Sequence, residues 1–319
     1  MLMRSLLALA LFLLPEQPGP QSGFLTGNGA LPAAEQGSWL DLISGNEISR
    51  TGLIDDLAAC DVIYLAETHT VDLHHSVHEK IISGLCEKGA APVLVMEQLE
   101  RETQDALDEY NKGSLSFEEF ALKTEWKETW SNYCDYKNIM ESTRTCGGTV
   151  LAANAPSAVI SKVSRSGLVS LDAHERAALP ETVDFNSPAY EKLLEKIFMV
   201  HAFMKPERKR FMFEAQVCRD EAIAETVYKG LGRARSAEKA GPVVVITGEY
   251  HVKFGLGVPA RVERRAGPVR SRIVLVSRGN GPVLSRAEKA MSRPVTITHD
   301  DLKSAGLPPA DYLYFVKIK

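Results

Sequence analysis

Cysteine is scarce, with five residues in a chain of 319. None of them forms a Cys-x-x-Cys pair, which excludes a disulfide-built scaffold and a zinc knuckle. Neither sign of charge dominates: Lys and Arg number 37, Asp and Glu 41, for a formal net charge of -4. Such a balance gives no electrostatic case for nucleic-acid binding. No apolar run approaches the roughly 20 residues of a membrane-spanning helix. There is no Gly-x-Ser-x-Gly elbow, no HExxH, no Walker A loop and no dinucleotide-binding glycine fingerprint. What remains, 45% apolar and 24% charged residues, is the composition of a globular protein and not of a disordered or collagenous one.

The longest apolar run, Leu6 to Leu14, follows Arg4 and stops at Pro15. A short basic segment followed by a short apolar one reads as a secretory signal. Residues 16–36 are rich in Gly, Pro and Gln and read as a linker. Residues 1–37 are therefore assigned to signal and linker, and 38–319 to the folded domain. No cysteine precedes Cys60, so a lipid-bearing cysteine is lacking. The chain is expected to be exported, to the periplasm or beyond the cell, without being an evident lipoprotein. Membrane association would run only through an uncleaved N-terminus.

Apolar runs at 61–66, 92–96, 149–153 and 243–247 alternate with segments of helical periodicity. Late strands are predicted at 272–277 and 312–318. This alternation predicts an α/β fold, a central parallel or mixed sheet wrapped by helices. The largely helical stretch at about 155–230 reads as an insertion. A disulfide between Cys60 and Cys86 is expected, because the helix after the first strand returns to the level where that strand began.

Two strand ends carry the chemistry. Residues 62–69 (VIYLAETH) align without gaps on residues 244–251 (VVITGEYH). Each is an apolar strand followed by Glu-x-His, which places Glu67 with His69 and Glu249 with His251. Ligands bind outside the carboxyl ends of strands in open α/β sheets, so the four side chains are expected to face one cleft. Helical spacing adds His74, His75 and His78, with the first two nearer the strand end; Glu97 ends the second strand. Imidazoles and carboxylates so grouped suit a divalent metal.

These residues, in order, resemble the ChaN-like proteins of the Tiki/TraB and erythromycin-esterase superfamily. The resemblance rests on Ala66–His69, His74–His75, Met96–Glu97, Trp130, Tyr136, Ala152–Pro156, Ala215–Asp220, Gly248–His251, Gly255–Pro259 and Ala310–Tyr312. It departs from the family pattern at Ala66, where glycine is usual, at His78, where glutamine is frequent, and in the missing lipoprotein cysteine.

The resemblance implies haem or iron binding in iron acquisition, with tyrosine and histidine near the iron and a possible homodimer. Tyr136 takes the family-like position six residues after Trp130; Tyr133 is the second candidate ligand, joined by His69 and His251. Trp126, Trp130 and Phe203 suit an apolar slot, and Arg208, Arg210 and Arg219 suit the propionates. The superfamily also implies an alternative, a metal-dependent hydrolase. There Glu67, His69, Glu249 and His251 are catalytic, and His69, His74, His75, Glu97 and His251 hold a divalent metal ion.

Export predicts a mature chain beginning between about residues 15 and 37. N-terminal sequencing of protein recovered from the producing cell checks this; intact Met1 on soluble cytoplasmic protein would refute it.

Overall fold

A computed structural model describes residues 37–198, 205–236, 241–277 and 308–316. Residues 1–36 of the signal and linker segment, and Phe203, lie outside the described residues, whereas Gly37, assigned to the linker, begins a strand. The strands are β1 (Gly37–Asp41), β2 (Glu47–Ile48), β3 (Val62–Glu67), β4 (Val93–Glu100), β5 (Thr149–Asn154), β6 (Val243–Gly248), β7 (Ser271–Val276) and β8 (Tyr312–Val316). They form one sheet in the order β2-β1-β8-β7-β3-β6-β4-β5. From β8 through β5 neighbouring strands run parallel, and β1 joins β8 and β2 antiparallel. The fold is thus α/β with a mostly parallel mixed sheet. β1 was not foreseen: Trp39 is its one buried residue, and so short a pattern does not stand out from a linker.

Every residue of β3 and β6 is buried, which explains their unbroken apolar sequences. Helices cover both faces, so neither face alternates with polar residues. One face, with Ile63, Leu65, Leu94, Met96, Val244 and Ile246, packs on α1 (Arg50–Ala58) and α2 (Asp72–Glu87). α3 (Gln104–Asn111), α4 (Phe117–Lys123), α5 (Trp126–Thr129) and α6 (Lys137–Thr145) complete that layer. Gly89, at φ +82°, ends the chain's run after α2, in a left-handed conformation that suits glycine.

Between β5 and β6 come α7 (Ser157–Ser166), α8 (Ala173–Ala177), α9 (Pro188–Phe198) and α10 (Pro206–Ser236); α11 (Val258–Ala266) follows β6. α10 has 31 residues, about 46 Å at 1.5 Å each. With α11 it covers the second face, packing on Val62, Tyr64, Ala66, Val243 and Val245. Among the described residues no helix is long and apolar enough to cross a membrane.

The disulfide joins Cys86 to Cys146, not to Cys60. Cys86 ends α2 on the side facing α6, whose C-cap is Cys146, and the Cα atoms are 5.7 Å apart. Cys60 is buried and donates its thiol proton to Asp56 O at 3.3 Å. Cys60 and Cys86 stand at similar heights, but the lateral gap between helix layer and sheet, about 10 Å, exceeds the span of a disulfide.

The cross-link closes 60 residues of chain, which loop-closure entropy values at about 4 kcal/mol. Cys86→Ser together with Cys146→Ser should lower unfolding stability by about that much in urea titrations. Non-reducing peptide mapping should recover the 86–146 link, with Cys60 alkylated only after unfolding.

Candidate functional site

Side chains at the carboxyl edge of the sheet follow the strand alternation. Ile63 and Leu65 face α2, so Glu67 does too. Val93 and Val95 face α10, so Glu97 points there and Gln98 points back toward α2. The two carboxylates therefore enter opposite layers, and both are buried.

Glu67 collects donors on the α2 side. Its Oε1 lies 2.7 Å from His69 Nδ1 and accepts from Gln98 Nε2 at 2.9 Å and from the Tyr136 hydroxyl at 2.5 Å. Its Oε2 faces His78 Nδ1 at 3.5 Å and His75 Nε2 at 3.7 Å. Burial alone would raise its pKa, but His69 and His78 hold the carboxyl well below the ordinary range. Burial lowers His69, and its bond to Glu67 with the charge of Glu97 more than offsets this, so its pKa is raised. Burial lowers His75, leaving a neutral imidazole. Burial and the Glu67 charge together push the Tyr136 phenol well above 10.

Glu97 anchors the α10 side. Its Oε2 accepts from Thr247 Oγ1 at 2.6 Å and from the Gly248 N–H at 2.8 Å, while Oε1 lies 3.3 Å from His251 Nε2. The other nitrogen of His251 meets Asp220 Oδ1 at 2.5 Å. Burial would lower the pKa of His251, but the two carboxylates outweigh it and push it up to about 10. Asp220 also lies 3.9 Å from Arg261, and its neighbour Glu221 receives Arg261, Arg264 and Arg265 from α11.

The two networks meet over Gly248. A methyl group there would lie 3.1 Å from His69 Nε2 and 3.5 Å from a ring carbon of His251. Glycine leaves room for both rings, so Glu67, His69 and His251 come together. Glu249 does not join them. The lateral register pairs Glu67 with Gly248, not with Glu249; Glu249 begins a 3₁₀ turn and pairs with Lys253 at 3.0 Å.

The remaining candidates divide. His74 is buried, and its Nδ1 accepts the Thr68 N–H at 2.9 Å, which uses the lone pair a metal would need. His78, farther from the strand end along α2, faces Glu67 together with His75. Tyr136 is 0% exposed, and Tyr133 is half-buried, stacked on Phe117 at 6.1 Å. Trp130 is buried with its ring centroid 4.8 Å from that of His69, and Trp126 donates its indole N–H to Gln98 O at 2.7 Å. Arg219 is buried beside the charges of Glu97, Glu100 and Asp220. Arg208 is half-buried, and exposed Arg210 pairs with Glu191 and Glu214. Gln98, Gln216 and Asp220 were not singled out as site residues. The last two lie in the Ala215–Asp220 motif, which was the available signal.

A raised histidine pKa stabilises the fold below the unfolded value, about 6.5. That contribution fades as pH climbs toward about 10 for His251. The His251 ring resonances should stay those of an imidazolium from about pH 6 to 9 in NMR titration. In Asp220→Asn they should titrate nearer the ordinary value, with a loss of several kcal/mol expected for breaking a buried pair, about 3–5.

A protein-family model described as "Haem-binding uptake, Tiki superfamily, ChaN" matches residues 53–262. No curated protein sequence matches the chain significantly. Among solved structures, the chain is similar to ChaN of Campylobacter jejuni, described as showing cofacial heme binding. The two are 18% identical with a TM-score of 0.63, over 88% of this chain and 97% of that one. Weaker similarity links it to the type III effector HopBA1, at 12% identity and a TM-score of 0.37 over 71% of this chain and 81% of that one. RRSP, a MARTX toxin effector domain from Vibrio vulnificus CMCP6, gives 14% and 0.39 over 70% and 35%. The structural likeness to ChaN speaks for the fold, and the family model spans the carboxyl edge from β3 to α11. The chain belongs to the ChaN family of haem-binding uptake proteins in the Tiki superfamily.

Proposed function

We propose that the chain binds ferric haem on the open side of this edge, as an exported protein of iron acquisition. The observation that carries the reading is the family match across residues 53–262, which includes His69, Tyr133, Tyr136 and His251. Haem iron takes a tyrosine phenolate or an imidazole as axial ligand. The residues fit such a group at the surface and not as an enclosed ligand, since Trp126, Trp130 and Tyr136 are buried against one another and their neighbours. Tyr136 donates its O–H to Glu67 and stays a phenol, so half-buried Tyr133 is the better phenolate donor. His69, with a side chain 19% exposed, is the accessible imidazole. Glu67 fixes the ring of His69 through Nδ1 and leaves Nε2 toward Gly248. Buried Arg219 balances Glu97 and is poorly placed for propionates. By analogy with the cofacial haems described for C. jejuni ChaN, two copies would pair across this surface. The Cys86–Cys146 bond supports export, since disulfides persist in oxidising compartments.

A haemin titration followed by absorbance tests the reading. Wild type should give a saturable Soret change at micromolar haemin. Tyr133→Phe should shift the Soret and charge-transfer bands with little loss of stability. Tyr136→Phe should keep the bands but cost about 1–3 kcal/mol, because it removes a donor from a buried carboxylate. The absence of a saturable change in wild type would sink the proposal, and a spectral shift confined to Tyr136→Phe would move the ligand to that residue.

A further inference from the structure

Asp72 in the first turn of α2, His75 one turn on, and Asp135 in the 3₁₀ turn before α6 converge on the outer side of the Glu67 network, which His75 borders. One donor atom from each lies within 4.8 Å of the other two. His75 Nδ1 stands 3.7 Å from Asp135 Oδ2. Two exposed carboxylates are commonly just a solvated pair, and here the histidine argues otherwise. His75 is 5% exposed, and neither ring nitrogen has a hydrogen-bond partner. Leaving such groups unmatched in the interior costs about 1–3 kcal/mol, so their placement calls for a ligand.

We propose that Asp72, His75 and Asp135 form a binding site for a divalent first-row transition ion such as Zn²⁺, separate from the haem surface. Tetrahedral zinc, with bonds of about 2.0–2.1 Å, holds its donors roughly 3.4 Å apart. The observed 3.7 Å between His75 Nδ1 and Asp135 Oδ2 is near that spacing, and the three donors, within 4.8 Å of one another, would draw in by up to about 1.4 Å as the exposed carboxylates turn. Two carboxylates and a neutral imidazole match a dication in charge, and the imidazole favours zinc-like ions over magnesium or calcium. The carboxylates are exposed, so a water completes the shell. Asn132 Nδ2 donates to Asp135 Oδ2 at 3.0 Å and orients that carboxylate.

The far nitrogen of His75 supports the assignment. Metal-bound histidines usually turn their other N–H toward a carboxylate, and His75 Nε2 faces Glu67 Oε2 at 3.7 Å. The His75 ring also packs on Tyr136, with centroids 4.8 Å apart. An ion at Nδ1 would sharpen Nε2–H as a donor to Glu67 and so tie the outer site to the carboxylate that holds His69 and Tyr136.

The test is calorimetric titration of Zn²⁺ into the tag-free exported chain, stripped by chelator and free of haemin, so that its outcome is independent of the haem reading. Wild type should take up one equivalent. Asp72→Asn with Asp135→Asn, nearly isosteric changes at exposed positions, should weaken uptake by at least about tenfold while leaving the thermal unfolding of the metal-free protein unchanged. No saturable uptake by wild type would overturn the site. Equal uptake by the double variant would overturn it as well, since the ion would then sit on other histidines.

Discussion

Two carboxylates buried at the end of a parallel sheet set the terms for everything around them. Glu67 and Glu97 are each 1% exposed, and an isolated carboxylate at such depth would be neutralised or would destabilise the fold by several kcal/mol. Both are instead held as anions by converging donors. On one side these are His69, Gln98, Tyr136 and the imidazoles of α2; on the other, Thr247, the Gly248 amide and His251. The positions of α2, of the turn carrying Tyr136, and of α10 are thereby tied to the strand ends.

The sheet keeps the two networks apart, because side chains one residue apart on a strand leave by opposite faces. Contact between them runs over the edge at Gly248, a strand residue without a side chain. Gly248 lets His69 and His251 approach from either layer. Behind His251 the chain of charge continues through Asp220 to Arg261, and Glu221 gathers three arginines of α11. α10 and α11 are locked together under the site by ion pairs, while the α2 layer is locked by aromatic packing and by the Cys86–Cys146 bond.

The division also explains why chemically similar residues behave differently. His69, His75 and His251 share one edge, yet burial dominates in His75 and keeps it neutral, while paired carboxylates dominate in His251 and keep it charged. Tyr133 and Tyr136 are three residues apart. One keeps a half-exposed ring, and the other is consumed as a hydrogen-bond donor in the core. A family motif identifies the residues that matter at such an edge without saying which of them faces the ligand.

The sequence by itself determined β3 to β8 in order, the helical segments between them and the two Glu-x-His strand ends as candidates, because period and burial are local properties of the chain. Short apolar runs rich in β-branched residues, such as 243–246, suit strands covered on both faces. The shared strand context pointed to one cleft for Glu67, His69, Glu249 and His251; in the structure His69 and His251 approach each other over Gly248, and Glu249 pairs with Lys253 instead. What the sequence left to the tertiary structure depends on register and lateral distance. The gap-free match of Glu67 to Glu249 is true of the sequence, but the strands pair Glu67 with Gly248. A shift of one residue reverses which side chain faces the site. Cys60 and Cys86 stand at similar heights but in different layers. His75 and His78, not His74, reach Glu67 because the first turn of α2 folds His74 onto the Thr68 amide. Asp135 joins Asp72 and His75 only when the turn before α6 is laid against α2, and no spacing along the chain records that contact.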